Sequence, residues 1–379
     1  MYSLHSYNNQ GWDGCFSDAF RHDRALRGGD IRLAEGGDAV KLMKTEEAVG
    51  QILCHDMTQI IPGVRKDAVF RKGHVITEAD IPVLLSIGKD HVYIWENNEN
   101  MVHENDAARM LYELCAGAHM HPTPVKEGKI ELIADIPGLF KVDRRKLLAV
   151  NALGEMMIAS RHGDFPVAAG DKLAGTRVIP LVIEKQKMEE ARQVAAGGPI
   201  FRILPFVSKR VGIVTTGNEV FHGRIEDRFT TVIVEKVRAY GAEIAGHVLS
   251  DDDSDRIAAG IRSLLDGGAD MVVCTGGMSV DPDDRTPAAI KKTGARIVSY
   301  GAPVLPGAMF LLSYYGEANI PIIGVPGCAM YNKRTVLDLV LPHLFANDIL
   351  EKPDLDRLGE GGLCLNCPVC HFPNCGFGK

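Results

Sequence analysis

Nowhere in the 379 residues does an apolar run approach the roughly 20 consecutive positions that a membrane-crossing helix needs. The amino-terminal stretch also lacks the short apolar core of a secretory signal. Neither a membrane span nor an export leader is expected, and a cytoplasmic location is. There is no surplus of positive charge either: 42 lysines and arginines face 49 aspartates and glutamates, for a formal charge of -7. That balance argues against nucleic acid as a bulk electrostatic partner. Aromatic residues are sparse at 6%, whereas 46% of residues are hydrophobic and 24% charged, as in a soluble globular chain. The length exceeds what one ordinary core organises and suits two or three domains. A secreted disulfide scaffold is not expected, although nine cysteines are present. Five of them are scattered, and Cys364, Cys367, Cys370 and Cys375 are crowded, which in a reducing compartment points to metal.

Residues 1–42 have no sustained apolar period and read as a disordered arm or a start codon placed too early. From 43 to 100 short apolar runs alternate with turns, as in a small β-rich module. Within it Thr77 caps a helical run that Gly88 closes. Residues 101–200 form a second α+β unit that begins with a helix near Asp106–Cys115. It includes G-T-R-V-I-P-L-V-I-E as one strand and ends in a helix and hinge over 186–198. The cut falls near 200, followed by an α/β unit over 201–348 and a cysteine-rich tail over 349–379.

After 200 the pattern becomes regular. Buried strands are expected at 210–216, 242–249 and 271–274, separated by helices carrying Phe229, Ile233, Val237 and Tyr240, then Ile257, Ile261 and Leu264. A further helix starts at Thr286 as cap, with Pro287 in its first turn, and the run closes with Phe310–Ser313, Ile320–Ile323 and a helix over about 331–345. This alternation predicts an α/β fold, a three-layer parallel sheet with helices on both faces, preceded by the smaller β-rich α+β region.

In such a sheet, ligands collect beyond the carboxyl ends of the strands. Four punctuated segments fall there: Thr216-Gly-Asn-Glu219, Thr275–Pro287, Pro303-Val-Leu-Pro-Gly307 and Val325-Pro-Gly-Cys328. Gly276 and Gly277 offer backbone N–H groups, and the helix opening at Thr286 adds its positive end. Yet Asp281, Asp283 and Asp284 follow at once, and Asp251, Asp252 and Asp253 lie near, with Glu219 and Asp227. These acids read in two ways, as helix-capping groups or as partners of a hard cation. A phosphate beside so many carboxylates calls for a divalent cation between them, and Mg2+ does this with one or two carboxylates plus phosphate oxygens and water.

Residues about 209–346 resemble the molybdopterin-binding domain shared by molybdopterin molybdotransferases, molybdopterin adenylyltransferases and competence-damage-inducible proteins. The resemblance is carried by T-T-G-N-E-V (215–220), D-R-F (227–229), D-D-D-S-D-R-I (251–257), C-T-G-G-M-S-V-D-P-D-D-R-T-P (274–287), V-L-P-G (304–307) and V-P-G (325–327). It implies molybdopterin or its adenylylated form as ligand, with molybdate or tungstate as the oxyanion inserted and Mg2+ in the pocket. By it Gly276, Gly277 and Ser279 hold the phosphate-bearing end, and Gly217, Asn218 and Glu219 line the opposite wall, with Gly307 and Gly327 completing the site. Asp284, with Asp252 or Asp253, supports magnesium or molybdate handling, and a homo-oligomer is expected. Molybdotransferases usually carry a lysine shortly after the first P-G and Asn-Pro after the second. Here Ala308-Met309 and Cys328-Ala329-Met330 stand instead, and the N-S-A-M-D-G-Y-A run of those transferases is absent. Three activities stay open: oxyanion insertion, a non-catalytic cofactor carrier or sensor, and a nucleotide pyrophosphatase.

The tail reads C-x2-C-x2-C-x4-C from Cys364 to Cys375. Two consecutive C-x2-C steps bring three thiolates within reach of one centre, as in iron–sulfur clusters, whereas structural zinc sites more often separate two such pairs. An iron–sulfur cluster and Zn2+ are both compatible, and His371 can replace one ligand.

Overall fold

The computed structural model of the protein describes residues 40–61, 65–95, 99–279, 281 and 284–379. Most of the arm expected over 1–42 therefore lies outside the described residues, as does Asp283. The first described strand, Val40–Lys44, starts slightly ahead of the expected boundary and pairs antiparallel with His91–Trp95. Thr77 opens the expected helix through a capping box with Asp80, and the helix proper runs Ile81–Ser86. Leu53, Met57, Ile76, Leu84, Val92 and Ile94 form a small core of their own.

The second unit packs the helix Glu104–Cys115 on a four-stranded sheet of Met120–Pro122, Lys129–Ala134, Lys172–Val178 and Met156–Ser160. G-T-R-V-I-P-L-V-I-E is not one strand. Its first half belongs to that sheet, and Val182–Glu184 pairs with Met101–His103 instead. Pro180 lies at the break, where it has no N–H for a ladder. The boundary expected near 200 also moves, because Phe201–Pro205 still pairs with Gly138–Val142 of this unit.

The α/β unit contains β1 (Arg210–Thr216), α1 (Phe229–Arg238), β2 (Glu243–Ser250), α2 (Ser254–Asp266) and β3 (Met271–Thr275). It continues with α3 (Thr286–Lys292), β4 (Arg296–Tyr300), β5 (Leu311–Tyr315), β6 (Ile320–Val325) and α4 (Val336–Phe345). The sheet order is β2-β1-β3-β6-β5-β4. The first four strands are parallel, and β5 and β4 join antiparallel at one edge. The α/β fold class is as expected, with β4 and the antiparallel edge as the additions.

Side chains on successive strand positions point to opposite faces, and the cores divide accordingly. Val211, Ile213, Met271, Val273, Ile323 and Val325 pack with α1 and α4, whereas Val214, Val272, Cys274 and Ile322 pack with α2 and α3. Helices therefore cover both faces, and strands buried on both sides read as continuous apolar runs. On α1, Ile233 and Val237 are fully buried against the sheet, each contributing about 1.5–3 kcal/mol. The last helix starts at Val336, not near 331. Thr335 accepts from Leu337 N and forms a capping box with Asp338, which sets the start.

The 349–379 segment folds back on this unit. Leu305 N donates to Gly362 O and Cys364 N to Leu305 O, both at 2.8 Å. Phe372 and Phe377 sit against the same core that contains Phe165 of the second unit.

Candidate functional site

Register places Thr216 opposite Ser250, Thr215 opposite Thr275, and Thr275 opposite Val325. The carboxyl ends of the four parallel strands thus lie along one edge, and the loops that leave them carry the T-T-G-N-E, D-D-D, T-G-G and V-P-G segments. Gly276 and Gly277 have φ of +84° and +56°, in the left-handed region that favours glycine. Space also demands glycine. A Cβ on Gly276 would collide with the backbone oxygen of Thr216 and lie 2.9 Å from its hydroxyl, and one on Gly277 would lie 2.9 Å from Thr286 Oγ1.

Hydroxyls fix this turn. Thr216 Oγ1 donates to Thr275 O at 3.2 Å and meets Thr286 Oγ1 at 3.1 Å, while Thr286 Oγ1 donates to Gly276 O at 2.9 Å. The sequence predicts Thr286 as the cap of α3, but its side chain makes no cap and instead secures the glycine turn; Arg285 holds the cap position. α3 is seven residues long, so the dipole of a full helix, expected from the sequence, is not available there. The hydroxyl of Tyr300, from β4, donates to Met278 O at 2.9 Å and to Ser279 O at 3.1 Å, holding the following backbone. Its pKa is raised, first by desolvation and then by the charge of Asp284.

A second network lies on the α1 face. Thr275 Oγ1 reaches Thr215 Oγ1 at 3.4 Å, and Thr215 Oγ1 lies 3.0 Å from both Thr230 Oγ1 and His247 Nε2. Asp227 accepts from Thr230 and sits 3.5 Å from His247. Asp227 is therefore the root of a chain of polar groups running under the strand ends. Ser250, 4% exposed, ends β2 with a hydroxyl that has no hydrogen-bond partner among the described residues.

The structure sorts the expected acids. Asp253 caps α2, accepting from Asp255 N and Arg256 N, and these backbone donors hold its pKa below the usual carboxylate value. Asp252 Oδ2 accepts from Asn218 N at 3.0 Å, tying the loop after β2 to the loop after β1. Asp284 closes its own turn: Asp284 N donates to Asp281 O, and Asp281 N donates to Asp284 Oδ2 at 3.2 Å. The residue is half-buried beside Tyr300. Gly217 has φ of +131°, and Asn218 and Glu219 are exposed beyond it. Ser279 and Gly327 are exposed, whereas Gly307 is buried under Val336, so it serves packing and leaves Leu305 as the exposed residue of V-L-P-G.

Among the described residues no three His, Cys, Asp or Glu groups converge as a ready-made metal site. The tail cysteines, expected as ligands, come together only loosely. Cys364, Cys367, Cys370 and Cys375 all line one cavity of about 600 Å3, but they are spread around its wall. The thiol of Cys370 is held below its ordinary pKa, first by the Phe372 N–H and then by Arg334. Cys54, Cys115 and Cys274 are the reverse, with burial pushing their thiols up to about 11, 12 and 12.

An open, mostly parallel sheet with glycine turns, hydroxyls and carboxylates along its carboxyl edge defines this unit as an α/β domain. Residues 212–346 match the family model described as a probable molybdopterin binding domain, and this part of the chain is a domain of that family. Residues 42–96 match a second family, described as a domain of unknown function. A CinA-like protein of Mycobacterium avium (strain 104) is 35% identical over 98 residues, 26% of this chain and 23% of its own. A CinA-like protein of Mycobacterium tuberculosis (strain H37Rv) is 38% identical over 80 residues, 21% of this chain and 19% of its own. The chain thus covers less than a quarter of the length of these relatives. Among solved structures, the molybdopterin biosynthesis enzyme MoaB from Thermus thermophilus is 25% identical, with TM-score 0.30, covering 36% of this chain and 91% of its own. No helix among the described residues is long and apolar enough to cross a membrane.

The sequence motifs locate the glycine turns and the acids. They do not locate Thr230, His247 or Tyr300, nor show what Thr215 pairs with, because these partners come together only when the strands pair. The available signal is threonine at the last positions of β1 and β3, where a strand buried on both faces would otherwise take another aliphatic residue.

Proposed function

We propose that the α/β domain binds molybdopterin, or its adenylylated form, at the carboxyl edge of the sheet, and that the chain takes part in molybdenum or tungsten cofactor biosynthesis. The observation that supports this most is the Gly276-Gly277 turn, where positive φ and the missing Cβ let the backbone pack tightly on Thr216 and Thr286, so that its N–H groups would face a phosphate. Thr216 and Thr286 hold that turn rigid, so little ordering remains to be done when the ligand arrives. Asn218 and Glu219 form the facing wall, positioned through the bond from Asn218 N to Asp252.

Mg2+ is the cation that suits this reading. Asp284 and Asp252 would hold it, and when bound it would neutralise phosphate beside carboxylate. The chain's own residues then bind and orient: the glycine turn takes the phosphate, and the loop after β1 bounds the remainder of the ligand. Oxyanion insertion by this site, in the manner of a molybdopterin molybdotransferase, is the finer form of the proposal.

A second reading, a carrier or sensor without turnover, is favoured by one observation. Neither P-G loop brings the cation and amide that transferases place there: Gly307 is followed by Ala308 and Met309, and Gly327 by Cys328, Ala329 and Met330. The two readings separate on incubation with adenylylated molybdopterin, Mg2+ and molybdate or tungstate. AMP release coupled to oxyanion insertion supports the enzyme, and tight binding without turnover supports the carrier. No binding of either molybdopterin form would sink both.

Asp284→Asn provides the sharper test. It keeps the shape of the 281–284 turn, so the unfolding midpoint should stay within the ±0.5 kcal/mol typical of surface changes. Mg2+-dependent ligand binding or turnover should fall by at least tenfold. Unchanged Mg2+ dependence would remove Asp284 from the site.

A further inference from the structure

The tail cavity lies apart from the glycine turn. Besides the four cysteines it is lined by His371, by Leu363 and Leu365, and by Tyr331–Arg334, the segment that connects the V-P-G loop to α4. We infer that this cavity is a thiolate site for a soft metal centre, a zinc ion or an iron–sulfur cluster, formed by Cys364, Cys367, Cys370 and Cys375.

Three observations carry it. The first is topological. The cysteines are not on a loose string: Cys364 is anchored by its backbone bond to Leu305, and Gly378 N bonds back to Gly361 O, so the segment between them is a closed loop. Phe372 and Phe377 pin that loop to the core. A closed loop of this length keeps all four thiols on the wall of one cavity, which lowers the entropic cost of bringing them together.

The second is charge. Four thiolates around a divalent ion, or around a cluster, leave net negative charge that needs cationic or N–H partners nearby. Arg334 supplies them. Its guanidinium lies on the cavity wall with Cys370 and stacks 4.8 Å from the centre of the Phe372 ring, while Asp338 accepts from it at 2.8 Å. Its Nε is a buried donor with no hydrogen-bond partner among the described residues. Lys333 stands next to it on the same wall.

The third is contrast. Cys54, Cys115 and Cys274 are buried among apolar side chains and behave as core residues. Cys367 and Cys370 are exposed and Cys364 and Cys375 half-buried, with polar access from solvent that a metal needs in order to enter. The thiols are spread around the cavity, so binding a centre would draw them inward.

The test uses the full chain purified without oxygen. Iron, zinc and acid-labile sulfide are measured per chain, and the metal-free protein is titrated with Co2+. About one centre per chain is expected, with thiolate-to-cobalt charge-transfer absorption that saturates near one equivalent. Iron with sulfide and visible absorption identifies a cluster, and zinc without colour identifies the simple ion. Cys367→Ser changes an exposed side chain and should spare the fold, yet reduce bound metal at least tenfold after dialysis against a chelator. Cys328→Ser, outside the cavity, should retain it. The inference is overturned if neither iron nor zinc exceeds the level in a Cys367→Ser/Cys370→Ser double variant and Co2+ gives no charge-transfer band. It is also overturned if both single variants keep metal equally. Because none of these readouts involves molybdopterin, the result is independent of the proposed pterin site.

Discussion

Gly276→Ala should unfold at a markedly lower denaturant concentration than the native chain and lose binding at the sheet edge. Alanine at φ of +84° carries strain of order 1–3 kcal/mol. Its Cβ would also strike the Thr216 carbonyl oxygen at the end of β1. Overpacking of this kind adds about 1–3 kcal/mol. The two effects together reach about 3 kcal/mol or more, a large part of a domain's net stability. Gly294→Ala is the matched comparison, because Gly294 has φ of +91° but nothing within 4 Å of its would-be Cβ. It should show the strain without the collision. Equilibrium urea unfolding of the two variants measures the difference, and equal midpoints would show that the turn at Gly276 can open to make space.

Asp338→Ala should be the most damaging single change outside the glycine turn. This carboxylate is 5% exposed and accepts from Lys236 at 2.6 Å, from Arg334 at 2.8 Å and from Thr335 N at 2.8 Å. Its removal takes away half of the capping box of α4 and leaves Lys236, itself mostly buried, without its carboxylate. Breaking a buried pair from one side costs about 3–5 kcal/mol. Much of that is the penalty of the stranded ammonium, so Lys236→Met added to Asp338→Ala should recover part of the loss. A double variant no more stable than Asp338→Ala alone would show that the cap, not the ion pair, dominates. The same carboxylate orients Arg334 at the thiol cavity. Without that anchor the guanidinium no longer holds the Cys370 thiolate, so Cys370 should react more slowly with a thiol reagent near neutral pH in Asp338→Ala than in Lys236→Met.

The α/β unit is legible in the sequence because strands buried on both faces read as unbroken apolar runs, and glycines mark where they turn. V-G-I-V-T-T and M-V-V-C-T need no partner to be recognised. R-I-V-S-Y (296–300) escapes that reading because its pattern is short and mixed, and it is a strand only through pairing with β5, which follows after an intervening loop. The start of α4 is misread for a local reason: Y-N-K-R extends the helical pattern backwards, but Thr335 with Asp338 caps more strongly than those residues propagate. At the site, the glycines and acids announce themselves by type. What the acids do depends on which backbone N–H each one meets, and that separates Asp253, which caps a helix, from Asp284, which closes a turn with Asp281. The linkage from Thr275 to Asp227 is invisible in the sequence, since Thr230 and His247, which complete it, are ordinary helix and strand residues until the strands pair.

The jam at Gly276 also shapes how this segment can vary. Every other amino acid carries a Cβ, so all replacements meet the same obstruction and no ranking by size or polarity should emerge at that position. Gly223, Gly241 and Gly294 also have positive φ, but they face open space. There asparagine and aspartate are the tolerated replacements and branched residues the worst. In a saturation library the chain should therefore show two kinds of glycine, one a closed position and the other a graded one. The boundary between them is drawn by a carbonyl oxygen on a neighbouring strand.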